Sequence, residues 1–64
     1  MYNKESVKNL FKNAGIKIEF EKEIQENCFV VKVLKGNNIY IWNNEMVSKN
    51  NFYNNYKKLL TNSQ

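Results

Sequence analysis

The stretch Cys28-Phe29-Val30-Val31-Lys32-Val33-Leu34-Lys35-Gly36-Asn37-Asn38-Ile39-Tyr40-Ile41-Trp42 decides the fold. β-Branched and aromatic residues dominate it on both sides of Gly36-Asn37-Asn38, which is the pattern of two strands joined as a hairpin. Side chains alternate across a strand, so the loop length sets which residues share a face. A three-residue loop, Gly36 to Asn38, puts Phe29, Val31, Val33, Ile39 and Ile41 on one face and Val30, Lys32, Leu34, Tyr40 and Trp42 on the other. A two-residue Gly36-Asn37 turn instead groups Phe29, Val31, Val33, Tyr40 and Trp42, with Val30, Lys32, Leu34, Ile39 and Ile41 opposite. Either register leaves two apolar faces. The first is preferred, because it gathers the aliphatic side chains inside.

Upstream, Ile16, Ile18 and Phe20 alternate with Lys17, Glu19 and Glu21, which reads as a third, half-buried strand. Polar residues from Lys22 to Asn27 then form a turn. Before it, Val7, Leu10, Phe11 and Ala14 fall on one helical face and predict a helix over Lys4–Ala14. Asn3 is its cap, Tyr2 and Val7 stand at the hydrophobic-staple positions, and Gly15 is the left-handed stop. Downstream, Phe52, Tyr53, Tyr56, Leu59 and Leu60 share a face of a helix over Lys49–Leu60, capped by Ser48, with Val47 and Phe52 at staple spacing. An earlier start near Asn44 is an alternative. The expected fold is α+β, in the order α-β-β-β-α. It has a three-stranded antiparallel sheet and both helices packed on one face, and residues 1–64 form a single domain with a frayed tail at 61–64. Leu10, Phe11, Ile18, Val31, Phe52, Tyr56 and Leu59 are expected in one core.

Composition limits the chemistry. All ten basic residues are Lys and all six acidic residues are Glu, giving a net charge of +4. Without Arg, bidentate recognition of phosphate or guanine is excluded. His and Asp are missing and Cys28 is the sole cysteine. No intramolecular disulfide can form, and a zinc site or an activated thiol lacks its usual partners. The glycines Gly15 and Gly36 make no phosphate-binding loop. The reading is therefore not an enzyme, with no catalytic residue, no metal and no cofactor. Met1 to Leu10 lacks the apolar run of a secretory signal, and no segment has the roughly 20 apolar residues of a membrane span. A cytoplasmic setting is expected.

If both helices cover one face, the other remains open, and an uncovered apolar patch marks an interaction site. The expected protein-binding residues are Trp42, Tyr40, Val30, Lys32 and Leu34, with the two aromatics as anchors. The partner would be a host protein or protein–nucleic acid complex, blocked by steric occlusion, or a second copy in a homodimer. The alternative is a basic nucleic-acid-binding module that uses Lys4, Lys8 and Lys12 on the first helix and Lys49, Lys57 and Lys58 on the last.

In topology and length the chain is similar to a double-stranded-RNA-binding domain. Val47-Ser48-Lys49-Asn50 resembles the basic start of that family's last helix, which grips phosphate while the first helix reads the minor groove. Asn50 replaces the second lysine, Phe52, Tyr53 and Tyr56 replace an Ala-rich helix, and the Gly-Pro-x-His type loop is absent. In size, composition and missing catalytic chemistry the chain also resembles the short accessory proteins of bacteriophages. Anti-CRISPR and related anti-defence proteins are among them, and many of these occupy a surface of a host macromolecule.

Overall fold

The computed structural model describes residues 2–62. Helix α1 (Lys4–Asn13) is followed by strands β1 (Ile18–Gln25), β2 (Cys28–Val33), β3 (Ile39–Trp42) and β4 (Glu45–Val47), then helix α2 (Lys49–Asn62). The strands form one antiparallel sheet in the order β1-β2-β3-β4. The class is α+β as expected, but there are four strands where three were expected. The added strand follows a two-residue turn in which Asn43 and Asn44 have φ of 52° and 67°. Two positive φ values make a type I′ hairpin turn, and Asn tolerates that conformation better than other side-chain-bearing residues. The alternative helix start near Asn44 falls in this turn, and α2 begins at Lys49.

The β2–β3 ladder runs from Cys28↔Trp42 to Val31↔Ile39. Pairing stops well before Gly36, so the connection is longer than a three-residue loop. The faces nevertheless divide as the preferred register requires, because the pairing is displaced by an even number of residues. Phe29, Val31, Ile39 and Ile41 share one face, and Cys28, Val30, Tyr40 and Trp42 share the other. β1 extends to Gln25, through the stretch read as a turn, and carries bulges at Glu21 and Ile24. The first bulge reverses the alternation, so Ile18 and Phe20 join the Val31 face while Lys22 lies opposite Val30 on the other.

The helices cover opposite faces. Val7 of α1 is buried with Phe29, Val31 and Ile41, and Tyr2, Phe11, Ile18, Phe20 and Ile39 pack around them. Phe52 of α2 is fully buried against Tyr40 and Trp42, with ring centroids 5.6 and 5.3 Å apart. This corrects the expectation of both helices on one face and of a single core. A sheet with two apolar faces needs two covers, and each helix has one apolar stripe. β4 determines the side: Val47 pairs with Tyr40 and so points to the Tyr40 face. Phe52, five residues further on, packs on Tyr40 and Trp42, so α2 lies on that face. Leu10, expected in the core, is 55% exposed. Val7 is the residue of α1 that is buried against the sheet.

The ends of α1 follow the sequence closely. The Asn3 side chain accepts from the Ser6 amide at 2.8 Å, and the Ser6 hydroxyl accepts from the Asn3 amide at 3.0 Å. At the other end Gly15 has φ of 70°, its amide donates to the Lys12 carbonyl and the Ile16 amide to that of Phe11. These two bonds form a Schellman stop. In α2 the Ser48 hydroxyl accepts from the Asn51 amide at 3.1 Å. The helix continues through Thr61 and Asn62, where fraying was expected. The rest of that tail, 63–64, lies outside the described residues.

Candidate functional site

α2 lies over most of the face expected to be open. Val30 is 1% exposed, and Tyr40 and Trp42 are half-buried beneath Phe52 and Tyr53. Lys22 of β1 places its ammonium 5.5 Å from the ring centroids of both Tyr53 and Tyr56. α2 thus crosses the strands from β4 towards β1. Of the five residues assigned to protein binding, Lys32 and Leu34 alone are exposed, Leu34 at 52%. Lys32 is near the end of β2 and Leu34 follows that strand.

The six lysines of the nucleic-acid alternative are not brought together. Lys4, Lys8 and Lys12 belong to α1 and Lys49, Lys57 and Lys58 to α2, on opposite sides of the sheet. The two stripes therefore lie on helices that cover opposite faces. The fourth strand also departs from the α-β-β-β-α order on which the resemblance to a double-stranded-RNA-binding domain rests. Lys4 is also paired with Glu23 on β1.

A different surface emerges on the α1 side. A groove between α1 and β1 is lined by Lys8, Lys12, Ile16, Lys17, Ile18, Glu19 and Phe20. It meets a second groove, lined by Ile16, Lys17, Val33, Leu34 and Lys35, at the Gly15–Lys17 turn. Four lysines and one glutamate therefore rim a floor of aliphatic and aromatic carbon. Lys8 holds its ammonium 5.8 Å from the Phe20 ring centroid, and Lys4 lies 5.1 Å from it. Ile16 is 42% exposed at the junction. Ile16 reads in the sequence as the first inward residue of β1. The Schellman turn instead lifts it out of the strand, which starts at Ile18. Lys17, Lys35 and Phe20 read in the sequence only as strand residues, with no signal of a site. A lysine beside an apolar residue takes on meaning only once the turn and the sheet end are placed together.

Cys28 is fully buried, with its Sγ 3.7 Å from Asn43 Oδ1 and 3.9 Å from Gln25 Oε1. That is the setting of a structural thiol. Among the described residues no group of three metal-ligating side chains is assembled, and no helix is long and apolar enough to cross a membrane. Comparison with protein-family models, with curated proteins and with solved structures finds no match.

Proposed function

We propose that this chain is a small non-enzymatic binding protein that acts by occluding an acidic surface of a partner protein. It engages that surface through the grooves around the Gly15–Lys17 turn. The observation that carries this reading is the exposure of Ile16 and Leu34 between Lys8, Lys12, Lys17 and Lys35. Apolar contacts in the middle of a patch supply affinity, and a charged rim supplies orientation and rate. The inhibitory outcome is steric: a partner covered here loses access to its own ligand. A fluorescently labelled polyglutamate, followed by anisotropy, tests the assignment. Binding is expected at low salt and should weaken as salt rises. Lys12→Glu with Lys17→Glu should abolish it, while Lys57→Glu with Lys58→Glu on the opposite face should change it little. Equal losses from the two pairs would mean that only net charge matters, and the site would be withdrawn.

A further inference from the structure

The groove runs along an edge of the sheet, and that edge has a usable backbone. β1 is an outer strand. The Leu34 amide donates to the Lys17 carbonyl at 3.3 Å, which fixes the phase of the β1–β2 ladder. In an antiparallel pair, residues alternate between pointing their N–H and C=O at the neighbour and pointing them away. Lys17 and Glu19 therefore face β2, and Ile18 and Phe20 turn their backbone groups outward. The bulge at Glu21 and the charges beyond it blunt the rest of the strand. The stretch from Lys17 to Phe20 precedes the first bulge and borders the groove beside α1.

Resting on the binding reading above, we infer that Lys17–Phe20 accepts a short extended segment of an acidic partner protein as a fifth strand. A strand added there would place its residues beside Ile18 and Phe20 on the α1 side, where Lys8 and Lys12 line the groove. Alternate residues of a strand are about 6.8 Å apart, and lysines four apart on a helix are separated by about 6 Å along its axis. Two carboxylates at alternate positions thus match Lys8 and Lys12. The intervening residue lies beside Glu19 on the other face, so it is not acidic. Backbone hydrogen bonds would supply affinity and the alternation would supply specificity.

Two other occupants fit less well. A second copy pairing through β1 about Glu19 would set Glu19 against its own equivalent. It would also bring the lysines of two α1 helices together across the dyad, and like charges directly opposite are destabilising. A nucleic-acid strand would carry its phosphates past Glu19 and Glu21 of the same edge.

The test uses the full chain and a capped peptide of about seven residues, a usual strand length, alternating glutamate with threonine. A peptide of the same composition with its glutamates in one block, an N-methylated version of the alternating peptide and a polyuridylate strand are compared with it. The alternating peptide is expected to bind about tenfold tighter than the other two peptides, a difference of about 1.4 kcal/mol. It should slow hydrogen exchange at the Ile18 and Phe20 amides, and Lys8→Glu with Lys12→Glu should remove both effects. If polyglutamate binds but the alternating and blocked peptides bind alike and those amides stay unprotected, strand addition is wrong and the acidic-surface reading stands. If no acidic polymer binds, both are wrong. Tighter binding of polyuridylate would reassign the groove to nucleic acid.

Discussion

The two faces of the sheet are covered by helices that hold on in different ways. α1 has ten residues and is closed at both ends by local bonds, the Asn3–Ser6 capping box and the Gly15 stop. Its contact with the sheet centres on a small aliphatic side chain, Val7, packed against Phe29, Val31 and Ile41. α2 has fourteen residues, many of them Asn, which is a weak helix former. Phe52 is its one fully buried residue, and that ring contacts Tyr40, Trp42 and Tyr53 edge-on or tilted. Aromatic pairs in such geometries add about 0.5–1.5 kcal/mol each beyond burial. α1 is therefore closed by local bonds at both ends, whereas α2 has a local cap only at Ser48 and depends more on the docking of Phe52.

The largest effect expected from this contrast is at Phe52. Phe52→Ala should cost about 3–5 kcal/mol, a large part of the stability available to a chain of this length. Helical circular dichroism should fall by the share of α2, and Trp42 emission should shift to the red as its indole loses the covering ring. Val7→Ala removes two methyl groups and should cost about 2 kcal/mol without moving Trp42 emission before global unfolding. Equal costs, or red-shifted emission from both variants, would show that the faces are one cooperative core and not two.

A smaller effect probes the local specification of α1. Gly15 has φ of 70°, and a Cβ added there meets no atom within 4 Å. Gly15→Ala should therefore cost only the backbone term of a left-handed L-residue, about 1–2 kcal/mol. Urea denaturation measures it. A loss well above that range would mean the turn packs against something, and that the groove beside it is narrower than described.

The unequal legibility of the sequence follows the same division. Both ends of α1 could be read from Tyr2, Asn3, Val7 and Gly15, because caps and stops act over three or four residues. The division of β2 and β3 into faces was legible too, since any even displacement of the pairing preserves it. What sequence reading missed was set at longer range. Glu21 looks like one more outward residue of an alternating strand, yet it forms a bulge that turns Lys22 towards Tyr53 and Tyr56 of α2. Glu45–Val47 is too short for periodicity to reveal, and those three residues place α2 on the Tyr40 face. The exposed end formed by Ile16, Leu34, Lys17 and Lys35 combines residues some eighteen positions apart, and no local pattern joins them.

The smallest effect expected has the opposite sign and tests the turn that creates β4. Asn44 has φ of 67° at the second position of the Asn43-Asn44 turn, where a type I′ hairpin prefers Gly. Its Oδ1 is buried without a hydrogen-bond partner. Its backbone is well used: its amide donates to the Asn27 carbonyl at 3.2 Å, and its carbonyl accepts from Tyr2 at 2.9 Å. Asn44→Gly keeps both backbone bonds, relieves the positive φ and deletes the orphaned oxygen. Against this stands the added freedom of glycine in the unfolded chain, about 0.5–1 kcal/mol. An unsatisfied buried acceptor costs about 1–3 kcal/mol, so the balance favours the variant by roughly 0.5–1 kcal/mol. Asn44→Ala removes the same oxygen but forces an L-residue to keep the positive φ, and it should be neutral or destabilising. The urea midpoints of the two variants, read from Trp42 two residues upstream, separate the terms. If Gly lowers the midpoint, the side chain has a partner that holds the turn, and the placement of α2 on its face rests on that contact and not on the backbone geometry of Asn43 and Asn44.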